Sequence, residues 1–330
     1  MIRLFRIAGP VGLISIILYS AILHSFQLME PEAIVPESTR TAPLYDFVIW
    51  AMDALNIYSV IAFFIISTLL PVIQGLILTD FLDKQKLFIR VIWIPAFALI
   101  LLTGLIPEMA AFGPELISLT FLVLIFKRLM HTFRKERCDR DLFDIGFFLA
   151  LAMLFYPLTF IFVLFVFIAI ILLRPLKLKE ILIFLTGVLV PYFLTWTIVF
   201  GFGLDYALLN HFSELLVIDL SFAIDLDLIA WIQIGILVFA SFVGFFMMQS
   251  QYNTFTIQVR TFLNITLVYT LVAMISLIWS TPLAIVAFLP VCLSLSIYMI
   301  KLIRDIRWPI LAELIHVFLL LGSAYRILFM

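Results

Sequence analysis

Charge is the first thing this 330-residue sequence lacks. Asp, Glu, Lys and Arg make up 12% of it, where an average soluble domain carries about 25%. Hydrophobic residues reach 65%, well above the half expected of a soluble domain, so a large water-soluble core is excluded. Cysteine is nearly missing. Cys138 and Cys292 are too few and too far apart for a disulfide framework or a zinc site, and both read as inert thiols. Histidine is scarce as well, with four residues and no cluster. There is no Gly-rich linker, phosphate loop or nucleophile elbow. What remains is a chain made of long apolar runs.

A helix needs about 20 apolar residues to cross the hydrocarbon of a bilayer. About eleven runs approach that length, near 7–28, 57–79, 88–106, 112–130, 143–156, 158–173, 181–201, 228–248, 261–280, 283–300 and 310–328. They are continuously apolar, without the alternation of barrel strands, so the expected fold is all-α: one polytopic helical bundle over 1–330. The stretch after Arg3 and Arg6, Ile7 to Leu28, is longer than a signal-peptide core and lacks a small-residue cleavage pattern. It reads as an uncleaved anchor.

Basic residues orient the bundle. With the N-terminus inside, every Lys and Arg except Arg40 and Arg326 falls on the inner side. The predicted topology therefore has a cytoplasmic N-terminus and a C-terminus on the outer side. Residues 143–173 test the count. As one helix they would run about 46 Å, too long for a core about 30 Å thick. A hairpin turning at Pro157 removes the excess and keeps Arg174, Lys177 and Lys179 inside. The outer loops, 29–56 and 202–227, are acidic, which disfavours nucleic acid as a partner. The basic run from Lys127 to Asp141 reads as a topology-setting loop that touches anionic head groups.

"FIRVIWIPAFALILLTG", "GPELISLTFLVLIFKRLM", "LFDIGFFLALAMLFYPLTFIF" and "LLRPLKLKEILIFLTGVLVPYFL", all between Phe88 and Leu194, resemble an uncharacterised multi-pass inner-membrane family of Bacteroidota. More distantly, this region looks like the membrane module of GT-C glycosyltransferases. That likeness rests on a first helix running outward, a long outer loop, and Gly146 to Ala152 on a helix paired with a short one. It implies action on a polyprenyl-linked sugar at the outer leaflet. Glu30 and Glu32 lie about where that family carries an acidic pair, but their "MEPE" departs from its motif.

Three sets of polar residues are candidates for chemistry. Asp46, Trp50 and Asp53 share one helical stripe just before the second span. Phe47, Val48, Ala51, Met52 and Leu55 form the opposite, bilayer-facing side, with Tyr45 and Trp50 at head-group depth. The stripe reads either as the watered edge of an interfacial helix, or as a carboxylate pair that binds a divalent metal or acts as a general base. In the second outer loop, His211 and Glu214 are three apart, a spacing that fits a carboxylate-steered imidazole or a solvated helix face. If both loops cover one cavity, Asp46, Asp53, His211 and Glu214 form the catalytic set. Glu313 and His316 form a polar pair within the last span, as a proton relay or as a structural pairing. Three functions follow: a GT-C-like protein that binds or acts on a polyprenyl-phosphate carrier, a non-enzymatic membrane subunit of an envelope secretion or biogenesis complex, or a proton-coupled transporter.

Overall fold

Proline and polar caps set where the helices begin. A computed structural model of the chain describes residues 5, 9–28, 42–57, 59–85, 93–135, 137–175, 177–201, 211, 227–279, 285–305 and 309–329, with no strand among them. In chain order the helices are α1 (Pro10–His24), α2 (Pro43–Ala54), α3 (Val60–Lys84), α4 (Ile94–Gly104), α5 (Pro107–Ala110) and α6 (Pro114–His131). Then come α7 (Asp139–Phe155), α8 (Phe162–Leu173), α9 (Leu178–Gly201), α10 (Leu228–Ser250), α11 (Ile257–Trp279), α12 (Leu289–Asp305) and α13 (Pro309–Phe329). Helices α1, α2, α5 and α6 each open on a proline, whose fixed φ suits the first helical position and whose missing N–H is not needed there. Ser59 caps α3 by accepting from the Ala62 N–H at 3.2 Å, and Asp227 caps α10 by accepting from Ala230.

Five of these helical segments are long and apolar enough to cross a membrane: Val60–Lys84, Leu178–Gly201, Leu228–Ser250, Ile257–Leu277 and Ile285–Asp305. The centre of the bundle is α4, buried along its whole length, and α12, buried along nearly all of it. Around them pack α3, α6, α10 and α11, while α7 joins α6 to α9. The outermost, α9, shows Leu182, Leu189, Phe193 and Trp196 on its surface.

The run 143–173 bends where its proline stands. Tyr156 is extended (φ −140, ψ 102) and Pro157–Ile161 forms a single 3-10 turn. Helix α8 then returns antiparallel to α7. The proof is Arg174, just past the end of α8, which donates to the Lys135 carbonyl at 3.1 Å and touches the Cys138 sulfur at the start of α7.

Inside the bundle, several polar side chains reach backbone partners on a neighbouring helix, which lowers the cost of withdrawing them from water. Gln74 of α3 donates to the Leu116 carbonyl at 2.7 Å, tying α3 to α6. The Tyr269 hydroxyl donates to the Pro290 carbonyl at 2.9 Å, tying α11 to α12. The Ser20 hydroxyl of α1 donates to the Thr68 carbonyl of α3 at 2.8 Å, tying α1 to α3. The Tyr269 ring stands edge-on to Phe126 and Phe165 in the middle of the core.

Helices α7 and α9 approach closely at two facing glycines. A Cβ on Gly146 would strike the Phe184 carbonyl, and a Cβ on Gly187 would strike the Phe143 carbonyl. Each glycine thus seats the other helix's backbone. By contrast, a Cβ on Gly235 of α10 meets open space. Gly146→Ala is expected to cost about 1–3 kcal/mol through overpacking and lower the unfolding temperature in detergent. Gly235→Ala should hold or raise it, because alanine favours helix by about 0.5–1 kcal/mol over glycine. Equal temperatures for the two variants would contradict the close α7–α9 contact.

Candidate functional site

The first candidate stripe lies on α2. Asp46, Trp50 and Asp53 are all exposed, Trp50 at 59%, and Asp46 sits in the first turn, where the helix dipole favours a carboxylate. The opposite side is held by protein as well as left open. Tyr45 and Met52 are buried with Phe63 and Phe112 in a small separate core, and the Tyr45 ring lies 5.8 Å from that of Phe112. Phe47 and Leu55 remain exposed. The expected apolar face is therefore divided, and Tyr45 sits in the protein instead of at its surface. The helix stops at Asn56, whose left-handed φ of 53 suits asparagine after a helix.

The second set is described in part. His211 is buried, with its Nε2 3.3 Å from the Tyr192 hydroxyl of α9; Glu214 lies outside the described residues. Asp46 and Asp53 are thus exposed while His211 is enclosed. Among the described residues no group of three or more His, Cys, Asp or Glu is placed to hold a metal.

The pair in the last helix is also divided. His316 is buried, with its Nε2 2.8 Å from the hydroxyl of Tyr19 in α1. The Phe97 ring stands edge-on to it at 5.4 Å, and it borders an apolar space of about 90 Å³. Glu313 is half-buried, one turn away. The histidine therefore fastens α13 to α1.

Two ionic clusters were not foreseen from spacing. Arg326 is 4% exposed and stands between two carboxylates: Nη2 donates to Glu108 at 2.5 Å, and Nε lies 2.8 Å from Asp227. It joins the end of α13 to α5 and to the cap of α10. Its sequence position implied an interfacial cation; burial between two acids makes it a clasp.

The other cluster gathers the remaining described ion pairs at the opposite helix ends. Asp80 pairs with Lys84 and Lys127, joining α3 to α6. Arg128 pairs with Asp144, and Asp141 draws Arg128, His131 and Lys135, joining α6 to α7. Lys301 pairs with Asp305 at 2.6 Å and donates to Gln251 at 2.7 Å, joining α12 to the end of α10. Arg174 and Glu180 meet at 2.6 Å with side chains 9% and 7% exposed. Burial pushes the neighbouring Cys138 thiol above its usual value, and the Arg174 cation opposes this. Cys138 therefore stays a thiol at neutral pH, as an inert cysteine does.

Together the fold and these clusters define an all-α bundle with five segments able to cross a membrane, closed by ion pairs at both ends. The chain belongs to DUF6427, a family of unknown function, which matches residues 42–323. No curated protein and no solved structure matches it.

Arg326→Gln is expected to destabilise the protein by about 1–3 kcal/mol, because it removes charged hydrogen bonds and leaves Glu108 and Asp227 facing each other. Thermal unfolding in detergent reads this. Glu108→Gln should cost less, since Glu108 is 41% exposed. An Arg326→Gln protein as stable as the parent would show that the clasp holds nothing.

Proposed function

We propose that this is a multi-pass inner-membrane protein with about eleven spans, its N-terminus inside and C-terminus outside, serving as the non-enzymatic membrane subunit of an envelope assembly. The gathering of cations at one end of the bundle supports the orientation, since cytoplasmic ends carry Lys and Arg. Helix α2 then lies at the outer surface. The observation that carries the functional reading is its exposed stripe of Asp46, Trp50 and Asp53 on a helix anchored through Tyr45 and Met52. A rigid helix bearing an exposed aromatic residue between two carboxylates suits docking of a basic partner surface.

A second reading rests on a different observation. Tyr192, which meets His211, also lies on an open apolar face of α9 with Leu189, Phe193 and Trp196. That face suits a polyprenyl chain whose polar head lies near His211, as in a GT-C-like protein handling a lipid-linked sugar at the outer leaflet. Asp46, Asp53 and Glu214 then supply the acids, with a divalent metal if they act on phosphate.

Affinity purification of the tagged protein in gentle detergent, with mass spectrometry of proteins and lipids, separates the two. The docking reading predicts a reproducible protein partner. Its recovery should fall at least about tenfold in an Asp46→Lys, Asp53→Lys double variant, since like charges across an interface cost several kcal/mol. A polyprenyl-phosphate species in near-equal amount, with no protein partner, would overturn docking in favour of the lipid-linked reading.

A further inference from the structure

Between the α6–α7 and α8–α9 connections lies a cleft of about 910 Å³. Its charged lining is strongly biased. Arg134, Lys135, Arg137, Arg174, Lys177 and Lys179 face two acids, Asp139 and Glu180. Both acids are already taken, Glu180 by Arg174 and Asp139 by Lys179, each at 2.6 Å. Lys135 is drawn to Asp141 outside the cleft. Arg134, Arg137 and Lys177 make no ion pair among the described residues. Among the described residues, three exposed cations thus ring one opening without an ion-pair partner.

Behind the cleft's lining lies a buried pair with one donor and one acceptor unmet. The Arg174 side chain is more than nine-tenths buried, and its Nε has no hydrogen-bond partner, nor does Oε2 of Glu180 beside it. A buried N–H left without an acceptor costs about 1–3 kcal/mol, which an oxygen entering at Arg174 would recover. Two helices also begin at this opening, α7 at Asp139 and α9 at Leu178. The cap residue of α7, Cys138, supplies no side-chain acceptor, and the first-turn N–H groups share this space with the carboxylates Asp139 of α7 and Glu180 of α9.

We propose that this cleft is a binding site for a phosphate-bearing ligand. Guanidinium groups bind phosphate oxygens in pairs, and a doubly charged phosphate matches the excess cations better than a carboxylate does. The volume exceeds that of phosphate alone, so the ligand carries an attached group. It is either the head of an anionic lipid, whose chains would run along the exposed Leu178 and Leu182 of α9, or a soluble phosphorylated compound. The site stands on this end of the bundle alone, whatever docks on α2.

The test uses the full chain in nanodiscs, with an Arg134→Gln, Arg137→Gln, Lys177→Gln triple variant. Lys84→Gln, at the same end but outside the cleft, is the control for general charge. In phosphatidylcholine discs, pyrophosphate titration reads the soluble source. In discs mixing phosphatidylcholine with phosphatidic acid, native mass spectrometry after mild release reads the retained lipid. Saturable pyrophosphate binding that falls at least about tenfold in the triple variant and is kept in Lys84→Gln assigns a soluble ligand. Selective retention of phosphatidic acid, lost in the triple variant alone, assigns a lipid head group. Failure of both probes to bind the parent, or equal binding by parent and triple variant at matched thermal stability, would overturn the site.

Discussion

A helical bundle with so few charges can keep them only where a partner or the surface meets them, because an ion buried alone costs several kcal/mol. Every described ion pair obeys this by sitting at one of the two ends. The pairs are not equal. Lys84 with Asp80 is largely exposed and contributes about 0–1 kcal/mol. Arg174 with Glu180 is shut in, where removing one partner costs about 3–5 kcal/mol. Arg174 also holds the start of α7 through Lys135 and Cys138. One guanidinium therefore ties the two ends of the α7–α8 hairpin to the first turn of α9 through Glu180. Arg326 does the matching work at the far end, closing the last helix onto the α4–α6 connection and the first turn of α10.

Between these ends the helices are held by contact instead of charge. Gly146 and Gly187 let two backbones touch. Gln74, Tyr269 and Ser20 send hydrogen bonds across helix boundaries to carbonyls. Such links fix register in an interior where apolar packing alone leaves helices free to slide. The same rigidity presents α2 at a fixed angle and holds the basic cleft open between two connections.

Much of the helical layout was legible in the sequence. Continuous apolar runs exclude strands, and Pro157 divides a run too long for one crossing; the structure bends there. The partners of the polar residues were not legible, because periodicity speaks only of neighbours along one helix. Glu313 and His316 are one turn apart, yet the imidazole meets Tyr19, 297 positions away. Arg326 and Glu108 are 218 positions apart, and no local pattern joins them. Helix α2 shows the intermediate case: spacing placed Asp46, Trp50 and Asp53 on one stripe, while the burial of Tyr45 depends on Phe112 from another segment. His211 is buried against Tyr192 of α9, 19 positions away, a partner that no helical spacing foretells.

The central claim is that the bundle's basic end faces the cytoplasm. Every described lysine falls at that end: Lys84, Lys127, Lys135, Lys177, Lys179 and Lys301. The most direct measurement is labelling with a membrane-impermeant amine reagent in sealed right-side-out vesicles, then in opened ones, read by peptide mass spectrometry. The predicted result is no lysine labelled while the vesicles are sealed, and strong labelling of the exposed Lys84, Lys177 and Lys179 once they are opened. Labelling of any of these three in sealed vesicles would contradict the orientation and, with it, the outer position of α2.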